Sequence, residues 1–135
     1  MSLSLATRRD RLLAIRSRID AGGGGALWLL DGDMAPSPES APANAPLAIV
    51  ALPEVSFTMH ESEAEMTLEA TGHAAMSGQP TWARYVNAAG VGVWDRTAGP
   101  PGSGAQVIVT DMQEPPTSQI WTGGEIHVSH TVTEV

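Results

Sequence analysis

His127 and His130, three residues apart in the C-terminal run EIHVSHTVTEV, are the side chains whose types most suggest a metal site. Their spacing argues against one. The run reads as a strand, and residues three apart on a strand project to opposite faces. One metal would reach both only across a bulge. His60 and His73 have no nearby ligand set. Asp31 and Asp33 flank Gly32, a pattern open to calcium but better suited to a plain turn. GPPGSGA (Gly99–Ala105) is glycine-rich without lysine, so it is not a phosphate loop. GGGGALWLL places its glycines before the strand, the reverse of a dinucleotide fingerprint. No nucleophile elbow surrounds Ser103. The chain has no cysteine, hence no thiolate or disulfide chemistry. The expectation is a protein that is not an enzyme and uses no cofactor or metal.

The remaining concentration of chemistry is cationic. The 135-residue chain carries a formal charge of −8 and seven basic residues, all arginine. Arg8, Arg9, Arg11, Arg16 and Arg18 lie within eleven residues, while the rest of the chain holds only Arg84 and Arg96 against fourteen acids. Phosphate binding needs basic surface, so an acidic body of this kind argues against a nucleic-acid partner. There is no eighteen-residue apolar span for a transmembrane helix. The N-terminal arginines lie in an amphipathic pattern with no following apolar core, unlike a signal peptide.

These arginines need an element to position them. Residues from about Ser4 to Ala21 read as a helix, with Thr7 and Asp10 as a capping-box-like start and Gly22 just past the end. At 100° per residue, Leu5, Leu12, Ile15 and Ile19 form one stripe. Arg11 and Arg18 flank it on one side, Arg9 and Arg16 on the other, and Arg8 falls within it. Such a stripe lies on a surface, with arginine stems on apolar ground and heads paired at the edge. The surface is the protein's own acidic body, another protein or an anionic membrane. Gly22–Gly25 reads as a flexible joint. This divides the chain into a basic helix and tether (1–25) and a body (26–135). It makes Arg8, Arg9, Arg11, Leu12, Ile15, Arg16, Arg18 and Ile19 the candidate partner-binding residues.

The body shows period-two patterning broken by turns. ALWLLDG, LAIVAL, MTLEATGHAAM, TWARYV, VGVWDRT, AQVIVTD and EIHVSHTVTEV read as strands, separated by the Pro/Ala/Ser-rich loop MAPSPESAPANAP and by NAAG, GPPGSG, EPPTS and GG. Glu61, Glu63 and Glu65 read as one solvated face. Seven or eight short strands predict a mainly β fold, an antiparallel sandwich or jelly roll with one N-terminal amphipathic helix. NAAG fits a three-residue hairpin closed by Gly90. Asn87 would then face Val91, Trp82 would oppose Arg96, and Arg84 would oppose Trp94. Each guanidinium could cover the indole on the neighbouring strand, the bland alternative being tryptophans in the core and solvated arginines.

The segment Ala70–Asp111 resembles small virion proteins of tailed bacteriophages. The resemblance rests on Thr81, Trp82, Ala83, Arg84, Gly90, Asp95, Gly102, Gly104 and the apolar Val107–Val109, together with the basic helix, glycine tract and Pro/Ala-rich loop. The SGQP turn, with Pro80 before Thr81, departs from that pattern. Most similar are the jelly-roll cement proteins that decorate the capsids of short-tailed Bordetella-type phages. The resemblance implies a structural protein on the outer capsid surface of a virion. Its partners would be the major capsid protein and its own copies, as a dimer, without nucleic acid or membrane. A tail or neck component, and a jelly roll that binds carbohydrate or a receptor, remain as alternatives.

Overall fold

The computed structural model describes residues 3–111 and 119–134; the expected EPPTS break (114–118) lies outside them. Helix α1 (Leu5–Asp20) is followed by β1 (Ala26–Leu30), β2 (Ala48–Ala51), β3 (Thr58–Met59), β4 (Glu65–His73), β5 (Trp82–Val86), β6 (Gly92–Gly99), β7 (Val107–Thr110) and β8 (Glu125–Thr133). The fold is mainly β with one N-terminal helix and resembles a jelly roll.

The strands form one sheet in the order β2-β1-β5-β6-β7-β8-β4-β3, curled into a half-barrel. Every pairing is antiparallel except β6–β7, a short parallel junction at Ala98–Val107 and Gly99–Ile108. That junction joins two halves, β2-β1-β5-β6 and β7-β8-β4-β3. β2 of one half meets the end of β4 of the other at an Ala48–Ala74 bridge, beside which Leu47 O accepts from Ala75 N and Met76 N.

Alternation decides what lies inside. On β4, Met66 and Leu68 are buried while Thr67 and Glu69 face out; on β8, Ile126, Val128 and His130 are buried. β5 is buried at every position because its outer face is also covered. The loop between β1 and β2 lies there, and a Cβ added to Gly92 would collide with Pro38 O. β3, only two residues long, carries too little pattern to be read from sequence; it pairs with Met66 and Thr67.

The helix starts one turn before the expected capping box. Ser4 is the N-cap, and its Oγ accepts from Thr7 N at 3.2 Å. The glycine tract, read from sequence as a joint, forms a tight turn. Gly22, Gly23 and Gly24 have φ of 90°, 98° and 120°, a region other residues rarely adopt. A Cβ at Gly25 would collide with Val86 O and come within 2.7 Å of Ile19 O. Glycine is present because the helix end, β1 and β5 approach too closely for a side chain.

Candidate interaction surfaces

The eight candidate residues of the helix face mostly inward. Leu12 and Ile19 are 0% exposed and belong to the main core, with Ile15 packed against it. Burial removes Leu12 and Ile19 from any free docking face, a correction to the expected partner-binding set. The arginine heads meet the protein's own carbonyls. Arg9 Nη1 donates to His60 O at 2.6 Å and Glu63 O at 2.7 Å, and Arg16 Nη1 to Phe57 O at 3.2 Å. Arg8 Nη1 donates to Glu134 O, and Arg11 pairs with the Glu134 carboxylate at 2.9 Å. Arg18 alone of the five stays exposed without such a partner among the described residues. The segment 57–63 and Glu134 thus fill the place expected for a partner. Asp20 closes the far end by accepting from Ser56 N.

The hairpin turn forms as the sequence implies. Asn87 N donates to Val91 O at 3.0 Å, and Gly90 N to Asn87 O at 2.9 Å. One step into the strands the expected register fails. Val86 faces Gly92, but Tyr85 faces Trp94, so Val93 is an extra, bulged residue. A one-residue slip sends every later side chain of β6 to the other face. Trp82 therefore opposes Thr97, Arg84 opposes Asp95, and Ala83 opposes Arg96. The cross-strand Arg–Trp pairs do not exist. Each arginine instead covers the tryptophan two residues earlier on its own strand: Arg84 Cζ is 5.3 Å from the Trp82 ring centroid, and Arg96 Cζ is 4.5 Å from that of Trp94.

The bulge places the two pairs on opposite faces. Arg84 lies under the β1–β2 loop. Its Nε and Nη2 donate to Asp95 Oδ1 and Oδ2 at 2.7 and 3.0 Å, and Nη1 and Nη2 donate to Ser40 O and Ser37 O at 2.7 and 3.0 Å. Both side chains are about 95% buried. Arg84 therefore fastens the proline-rich loop to the sheet. Asp31 holds the same loop's other end: its Oδ1 accepts from Asn44 Nδ2 and its carbonyl from Trp82 Nε1.

Trp94 and Arg96 face the interior. There Tyr85 Oη and His130 Nδ1 form a buried 2.6 Å hydrogen bond linking the two halves of the sheet. Phe57, Trp94, Tyr85 and His130 pack with ring centroids 5.4–5.8 Å apart. Burial, then the positive charge of Arg96, pushes the His130 pKa down to about 4. Burial pushes the Tyr85 phenol well above its ordinary value and lowers that of Arg96. All three favour the less charged form. Arg96 Nε is buried without a hydrogen-bond partner. His127, as expected, faces out while His130 faces in. Among the described residues no three His, Asp or Glu side chains gather as a metal site.

Two surface features remain. On the outer face of β1 and β2, Trp28 sits directly opposite Ile49. Trp28, Pro38, Pro42 and Val91 line a groove of about 420 Å³ above Arg84. Ile49 and Val91 are 56% and 58% exposed. On the outer face of the other half, Ser56, Thr58, Thr67, Glu69, Ser129 and Thr131 line a groove of about 430 Å³. The sequence signals this second face through the alternating hydroxyls and acids of β4 and β8; nothing in it signals the bulge at Val93. Comparison with known proteins gives no match: no family model, no curated protein and no solved structure matches the chain.

Proposed function

We propose that the chain is a structural virion protein that docks on a shell of major capsid protein as a decoration, or cement, subunit. The observation that carries this reading is the apolar strip of Ile49, Trp28, Pro42 and Val91, edged by Glu39, on a body of net negative charge. Four of the five helix arginines are engaged internally, so the surface offers apolar ground for a partner and little positive charge for phosphate. Proline and tryptophan supply it at low cost in side-chain entropy, and the loop carrying the prolines is fixed by Arg84. The resemblance of Ala70–Asp111 to phage virion proteins supplies the identity of the partner. Many copies on one shell make a modest affinity per copy sufficient.

The test is cosedimentation with purified, undecorated capsid shells. The wild-type chain binds at low and high salt alike, because the contact is apolar. Ile49→Asp with Val91→Asp abolishes cosedimentation while leaving the fold intact, and Arg18→Glu changes it little. Binding that survives the double substitution, or that is lost on raising salt, contradicts the reading.

A further inference from the structure

The polar groove is built from paired strand positions. Thr67 and Thr131 face each other across β4 and β8, Thr58 lies beside Thr67 on β3, and Glu69 faces Ser129 one pair further along. Ser56 completes the wall. We propose that this groove binds a neutral, polyhydroxylated ligand, a glycan. Four accessible hydroxyls, each able to donate and accept, one acceptor carboxylate and the Ser56 hydroxyl in the wall behind them match the alternating donors and acceptors along the edge of a sugar ring. Val55, 59% exposed, and Pro53 give the C–H surface of a ring a small apolar wall.

A second observation points the same way. Ser56 is 5% exposed, and its Oγ is buried with no hydrogen-bond partner. A buried hydroxyl left unsatisfied destabilises the free fold, and a ligand hydroxyl in the groove would satisfy it. Among the described residues the lining contains no cation, and Glu69 and the net charge of −8 disfavour anionic sugars. A smaller adjoining cavity of about 190 Å³ shares Thr58 and Thr67 and adds His60 and Glu65, so the track extends beyond one ring. The groove is suited to binding rather than cleavage. Glu65 and Glu69 are four residues apart on one strand, roughly 13 Å, whereas glycoside hydrolysis needs two carboxyls about 5–9.5 Å apart. Among the described residues no aromatic ring lines the groove, so the expected affinity is low.

This site is independent of the capsid reading, because it lies on the other half of the sheet. The experiment is an NMR titration of the full-length, ¹⁵N-labelled chain with neutral trisaccharides, maltotriose and triacetylchitotriose, and with anionic trigalacturonate as control. The expected result is saturable shifts at Thr58, Thr67, Glu69, Ser129 and Thr131 with at least one neutral sugar, and binding at least ten-fold weaker for the anionic one. Thr67→Val with Thr131→Val keeps shape and strand propensity and weakens binding at least ten-fold. Ser56→Ala weakens it too while leaving the thermal midpoint unchanged or raised. No saturable shift with either neutral sugar, shifts clustered outside the groove, or unaltered affinity in these variants overturns the proposal.

Discussion

The chain contains the pattern Trp-x-Arg twice, at Trp82–Arg84 and Trp94–Arg96, on adjacent strands with the same internal stacking of guanidinium on indole. Their surroundings differ completely. Arg84 meets a carboxylate and two carbonyls and binds a loop to the sheet. Arg96 has its Nε unpartnered, beside a neutral tyrosine–histidine pair. The local sequences do not explain this. One bulged residue, Val93, turns the second pair over, so register rather than residue type assigns each arginine its role.

The largest effect is expected from shifting that register. Inserting one alanine between Val93 and Trp94, with the bulge kept, sets Trp94 against Arg84 and Asp95 against Ala83, which sends Trp94 and Arg96 outward and Asp95 inward. This leaves Arg84 buried without its carboxylate, and costs more than about 5 kcal/mol, most of a typical domain's stability. Loss of the cooperative unfolding transition in urea is the readout. An insertion variant with near-native stability would show that the register is incidental.

Next, the two arginines should respond differently to the same substitution. Arg84→Met leaves Asp95 uncompensated and should cost about 3–5 kcal/mol, with Arg84→Met plus Asp95→Leu recovering most of it. Arg96→Met loses a cation–π contact but removes an unsatisfied group, so it should fall within about 1 kcal/mol of the wild type. Equal costs in urea denaturation would erase the distinction.

The interior pair also gives a pH signature. His130 has its pKa lowered from 6.5 to about 4, so the unfolded chain binds more protons between those values. The stability from neutral His130 is fully present above pH 6.5 and is lost as pH falls towards 4, by about 3 kcal/mol. Arg96→Met should raise the His130 pKa by removing a nearby positive charge; NMR titration of the His130 ring reads both. Titration of His130 near 6.5 in the folded chain would contradict its burial beside Arg96. The smallest effect belongs to the exposed Arg11–Glu134 pair, whose removal should cost at most about 1 kcal/mol.

Much of the fold was legible because it follows from alternation. β4 and β8 place Met66, Leu68, Ile126 and Val128 inward as their pattern requires. The NAAG turn was legible from Asn87 and Gly90. The bulge was not, because Val93 resembles any strand valine. The helix stripe was visible, and the protein's own body was among the surfaces it could cover, although the charge asymmetry also pointed to a partner outside the chain. Its acceptors are mainly backbone carbonyls at Phe57, His60, Glu63 and Glu134, which no composition reveals. Four glycines likewise allow both a hinge and a tight crossing, and only the approach of Gly25 to Val86 selects the second.

The central claim is that the basic helix is part of the folded body and leaves docking to the apolar strip. Amide hydrogen exchange on the free, full-length chain tests it most directly. The account predicts that the amides of Leu12, Ile15 and Ile19 are protected to the same degree as those of β5 and lose protection together with them in denaturant. Exchange of the helix amides within seconds while β5 stays protected would contradict it, and would return the arginines to the role of a free arm.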